Sequence, residues 1–148
     1  MDHEPFGNYR ESAGRGFLTD LVNRTQIRDV TLAFWAVRED GLTWTLFFAS
    51  PDVTHGTMPE TYASLRQFWL KSTESEATSQ WPVHLTWRDT LPLPADDEVA
   101  LAAAAYVEDR RPVQKGECLL GRYLLEEAFF YPRSVIERLG PPVAATSD

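Results

Sequence analysis

The residues best placed for chemistry lie in one connection, Ser50-Pro51-Asp52-Val53-Thr54-His55-Gly56-Thr57, where a strand is expected to end and a helix to begin. Free N–H groups and the helix dipole at such a junction attract anions, and Asp52 and His55 sit close enough in sequence to act on one ligand. His84 and one of the adjacent glutamates, Glu127, complete the tentative ligand-binding set of Asp52, His55, Thr57, His84 and Glu127. The plainer reading is that Asp52 and Thr57 cap turns and that His55 is a solvated loop residue. The loop also lacks the Gly-x-x-x-x-Gly-Lys-Ser/Thr arrangement of a phosphate cradle.

The other reactive types are sparse. His3, His55 and His84 have no second histidine at the three-to-five spacing of a zinc pair, so neither a metal site nor a cofactor is expected. Cys118 has no local cation at Glu117 or Leu119 to hold a thiolate, and it reads as a small buried apolar residue. Glu126-Glu127 interrupts an aromatic run. In a strand the two side chains point to opposite faces, so one turned inward would be a carboxyl of raised pKa, suited to acid chemistry. Ion pairs with Arg122 or Arg133 are the commoner fate of such residues. No Gly-x-Ser-x-Gly elbow is present.

Aromatic residues make up 12% of the chain, with five tryptophans. If helices cover only one face of the sheet, that is more than the core can bury, and Trp81, Trp87 and Phe130 are expected on a surface that meets another protein or a second copy; the alternative is a three-layer core closed within one chain. A net charge of −8 repels phosphate backbones and acidic lipid, which disfavours nucleic acid and membrane as partners. A single cysteine, no basic-then-apolar leader and no apolar run of spanning length give the expectation of a cytoplasmic protein.

These residues need a scaffold of about one domain, and 148 residues can bury roughly two-thirds of their unfolded surface. Residues 1–16 are rich in glycine and read as a flexible arm, 17–140 as a single domain, and 141–148 as a mobile tail. Phe17, Leu18, Leu21 and Val22 form a helical stripe that ends near Thr25. Residues 29–38 and 42–50 read as a hairpin joined by Asp40-Gly41, apolar on both faces and therefore covered on both.

Thr57 to Glu60 reads as a capping box opening a helix with Met58, Tyr62, Leu65 and Trp69 inward. Val83, Leu85 and Trp87 alternate with polar residues as in an edge strand, followed by an extended spacer, Leu91-Pro92-Leu93-Pro94. Asp96, Asp97 and Glu98 open a helix that Arg110 and Arg111 close. Residues 118–131 read as a strand pair bent near Glu126-Glu127, and Ser134 to Glu137 as a capping box on a short last helix. The sum is an α+β domain, a mainly antiparallel sheet of about four to five strands with helices packed on it. Its expected function is a non-catalytic protein–protein interaction or accessory module, possibly a homodimer. The alternative is a small-ligand-binding protein or enzyme with its site at 50–57.

Overall fold

A computed structural model describes residues 5–38, 43–74 and 81–139. The centre is the expected hairpin: β1 (Leu32–Arg38) pairs antiparallel with β2 (Thr45–Ser50), Phe34 lying opposite Phe47. Its Asp40-Gly41 turn, like the proposed tail, falls outside the described residues. Both faces of the hairpin are buried, as the apolar alternation requires. Ala33, Trp35, Val37, Leu46 and Phe48 point into one cluster, and Leu32, Phe34, Ala36, Phe47 and Ala49 into another.

The molecule supplies both covers itself. On the first face lie α1 (Asn8–Arg24), α2 (Met58–Glu74), α3 (Trp81–His84) and α5 (Arg133–Glu137). On the second, α4 (Glu98–Ala104) packs through Val99, Ala100 and Ala103 beside Tyr106. Fully burying side chains such as Phe34, Phe47 and Phe130 contributes about 1.5–3 kcal/mol each. The hairpin therefore needs no neighbouring molecule to hide its apolar sides.

The sheet has six strands and is mixed, with order β3-β2-β1-β6-β4; β5 also pairs with β6. The alternation at 83–87 does not form a strand. Residues 81–84 are helical and Trp87–Asp89 form a 3-10 turn, because Thr86 and Asp89 cap each other's backbone. The next segment, expected as a spacer, is instead the edge strand β3 (Thr90–Pro94), parallel to β2. Its prolines suit an edge: alternate N–H groups face β2, Ala95 N–H donates to the Ser50 carbonyl at 3.1 Å, and by this alternation Pro92 and Pro94 fall on the outer side.

At the other end, β5 (Cys118–Leu120) and β6 (Tyr123–Phe130) form the expected pair, but the bend lies at Gly121-Arg122, where Gly121 takes φ 56°. At Glu126-Glu127 there is a bulge. Val37 faces Glu127 and Arg38 faces Leu125, leaving Glu126 as the extra residue. A short strand β4 (Val113–Lys115), not anticipated, extends the same edge. The last helix starts at Pro132 without a side-chain cap, so the box expected at Ser134 and Glu137 does not form. Helix α4 ends at Ala104, well before Arg110 and Arg111, which lie beyond it.

The first helix starts at Asn8, so residues 8–16, expected as an arm, are largely helical. Ala13 and Gly14 extend the stripe of Phe17, Leu18, Leu21 and Val22 one turn earlier, and their small size is what hid them. Gly14 sits against a buried junction. The Trp35 indole N–H donates to the Tyr131 hydroxyl at 3.0 Å, and that hydroxyl donates to the Glu11 carbonyl at 2.7 Å. A Cβ on Gly14 would lie 2.7 Å from Trp35 Nε1 and closer still to Tyr131 Oη.

Gly14→Ala gains about 1 kcal/mol of helix propensity and costs about 1–3 kcal/mol of overpacking. The expected result is a lower urea midpoint with an unchanged slope. A second expectation concerns alkali. Burial pushes the Tyr131 hydroxyl well above its ordinary 10.0, so the unfolded chain ionises there before the folded one. Stability from this group is complete below pH 10 and falls above it by about 1.4 kcal/mol per unit; in Tyr131→Phe that part of the alkaline slope should vanish.

Candidate functional site

The 50–57 connection is built around its own backbone. Asp52 Oδ2 accepts N–H bonds from Arg28 (2.9 Å) and Asp29 (3.2 Å), fastening the start of the hairpin to its end. Thr54 and Thr57 cap one another, Thr57 N–H donating to Thr54 Oγ1 at 3.2 Å and Thr54 N–H to Thr57 Oγ1 at 3.3 Å. The capping box thus sits one turn before the expected Thr57 and Glu60, around a 3-10 turn over His55–Thr57. These hydroxyls and this carboxylate hold the loop's shape.

His55 reaches beyond the loop. Its Nε2 lies 3.7 Å from Asp97 Oδ1, with the imidazole 72% exposed and the carboxylate only 3%. Asp97 caps α4 through Oδ2, which accepts the Val99 N–H at 2.9 Å, and its Oδ1 is 3.5 Å from the Arg122 guanidinium. Arg122 also meets Glu98 at 3.3 Å. The left-handed turn at Gly121 brings this arginine back over α4. A buried carboxylate is thereby neutralised by an arginine and a helix start, which is how a buried charge avoids its desolvation cost.

His84 and Glu127 belong elsewhere. The His84 ring lies 5.3 Å from that of Tyr9, at the contact of α1 with α3, and Glu127 is half-buried in β6 opposite Val37. Asp52, His55 and His84 thus meet three different groups, the backbone of residues 28–29, Asp97 and Tyr9. Among the described residues no group of three His, Cys, Asp or Glu side chains is disposed to hold a metal ion. Burial raises the Cys118 thiol pKa against the weaker pull of Lys115, which keeps it protonated.

The proposed surface of Trp81, Trp87 and Phe130 is corrected at two positions. Trp81 is 3% exposed, and its indole N–H donates to Asp20 Oδ2 at 2.8 Å. Helical rather than extended backbone at 81–84 turns Trp81 inward and leaves Val83 78% exposed. Phe130 is fully buried in the second cluster, its ring stacked on Tyr106. Trp87 is half-buried against the first cluster, with Arg88 over its ring.

No family model, curated protein or solved structure was found to match this chain. No helix among the described residues is long and apolar enough to cross a membrane.

One cavity of about 500 Å³ lies between α1 and α2, lined by Arg24, Phe68 and Lys71, and a second region carries a larger, composite concavity. Three adjoining cavities of about 430, 500 and 660 Å³ share Arg110 in their walls. The walls are residues 107–112 and the start of α5, held together where Arg133 N–H donates to the Glu108 carbonyl (2.8 Å) and Ser134 N–H to that of Asp109 (2.9 Å). At one end Phe6 stacks on Phe129, with centroids 4.4 Å apart, beside Pro112, Pro132 and Val135. Toward the other end the lining includes Arg110, Arg133 and Arg138. Arg110 and Arg111, expected at a helix end, lie beside Arg133 because a tertiary contact brings the two stretches together.

Asp97→Ala removes a cap and one of the two carboxylates that meet Arg122, so it should lower stability by about 1–2 kcal/mol. His55→Ala removes an exposed ring beyond hydrogen-bond reach and should stay within about 0.5 kcal/mol of the parent. Chemical denaturation of the two variants checks the contrast.

Proposed function

We propose that this chain is a non-catalytic module that works by contact with another protein, and that the groove between residues 107–112 and α5 receives a segment of that partner. The observation that supports this is the groove's form. It runs through three adjoining cavities with arginines in each, Phe6, Pro112, Pro132 and Val135 join the polar lining of one of them, and its two walls are held together by backbone hydrogen bonds. An extended chain fits such a shape better than a compact metabolite does, and pre-joined walls reduce the ordering cost of binding.

The homodimer reading has less to rest on, since the apolar faces of the hairpin are covered within one chain. The alternative of a small ligand at 50–57 is also weaker, because Asp52, Thr54 and Thr57 already bond the loop's own backbone or that of residues 28–29. The module reading also places the partner away from Trp81 and Phe130.

The test is site-specific photo-crosslinking in cells that naturally make the protein. A photoreactive residue at Ser134, in the groove, should give a discrete protein adduct, while one at exposed Leu101 on α4 should not. Equal adducts at both positions, or none at Ser134, would remove the reading.

A further inference from the structure

Resting on that reading, the geometry points to the chemical class of the partner segment: an acidic, extended peptide with an apolar residue next to its carboxylates. Five arginines line the joined cavities, namely Arg15, Arg110, Arg111, Arg133 and Arg138. Three of them have local acids, Arg15 with Glu11, Arg111 with Glu108 and Arg133 with Asp109. Among the described residues no carboxylate pairs with Arg110 or Arg138, and Glu137 is the one further acid in the lining. The groove is therefore weakly positive within a chain of net charge −8.

That contrast carries information about the partner. An acidic segment is repelled by the net charge of the chain and attracted to its basic cavities, and of these the groove is the one whose arginines adjoin Phe6, Pro112, Pro132 and Val135. Arg110 lines all three lobes, so its guanidinium can meet a carboxylate entering along any of them, in the paired geometry that arginine and carboxylates share. The Arg133–Asp109 and Arg111–Glu108 pairs are both solvent-exposed, hence weak, and a ligand carboxylate can exchange into them at little cost.

The lobe at Phe6 fixes register. Phe6, Pro112, Pro132 and Val135 share this lobe with polar side chains such as Gln114, and they offer one aliphatic or aromatic side chain an apolar contact. A nucleic-acid strand answers this lining poorly. Its evenly spaced phosphates would meet Asp109 and Glu137 as well as the arginines, in a chain whose net charge repels it.

The experiment pans a phage-displayed library of random peptides on the immobilised full chain, then measures the selected peptides, fluorescein-labelled, by anisotropy. Selected sequences should carry net negative charge with a large apolar residue beside the acids. Arg110→Ala/Arg138→Ala should weaken them about tenfold or more, whereas Arg24→Ala/Lys71→Ala, which removes the same charge from the α1–α2 surface, should change affinity less than about twofold. On the unmodified protein, raising salt from about 0.05 M to about 0.5 M should also weaken binding, and this holds whatever the variants do.

Neutral or basic selected peptides, equal losses in the two double variants, or displacement by single-stranded oligothymidine at equal concentration would overturn the acidic-peptide proposal while leaving a docking groove. Failure to select any peptide on the unmodified protein would instead overturn the docking reading itself, and the proposal with it.

Discussion

One buried junction ties the ends of this chain to its middle. The Tyr131 hydroxyl takes the Trp35 indole N–H from the central strand and gives its own proton to the Glu11 carbonyl on the first helix. Three segments far apart in sequence thus meet at a single oxygen, in a place where an unmade bond would cost about 1–3 kcal/mol. Gly14 is needed at this spot because no side chain leaves room for the junction. With α1 held there, its stripe from Ala13 to Val22 closes one face of the sheet, and Tyr131 fixes where β6 ends.

The proposed docking groove depends on the same junction. Tyr131 is followed directly by Pro132 and Arg133, and Glu11 by the Arg15 turn, so both the α5 wall and the α1 rim of the groove are set from this anchor. The hydrogen bonds from Arg133 and Ser134 to residues 108 and 109 then join the wall to the loop after α4. The arginines are thereby mounted on backbone that the core has already positioned, and binding need order only their side chains.

The two-sided hairpin was legible in the sequence, because β-branched and aromatic residues filled both alternations and no surface strand is composed that way. Asp97 as a helix start was legible too, from local chemistry. The failures share a cause: local pattern lost to local bonding or to distant contacts. Val83, Leu85 and Trp87 alternate as a strand would, yet capping by Thr86 and Asp89 turned the chain, and two prolines concealed the true strand one step later. The tentative site set dissolved because Asp52 and Thr57 were drawn into backbone bonds and His84 went to Tyr9. The approach of His55 to Asp97 and the clustering of Arg110 with Arg133 both require the fold, and no spacing rule could announce them.

The outer border of β3 has a consequence for the behaviour of many copies together. With Pro92 and Pro94 on the side away from β2, that border offers few amide protons to an arriving strand. Fibril-like growth propagates by strand addition in which each newcomer completes the ladder of the last. Here the first rung is missing, so crowding should not readily turn this side of the sheet into a seed for aggregates, despite the greasy hairpin directly behind it.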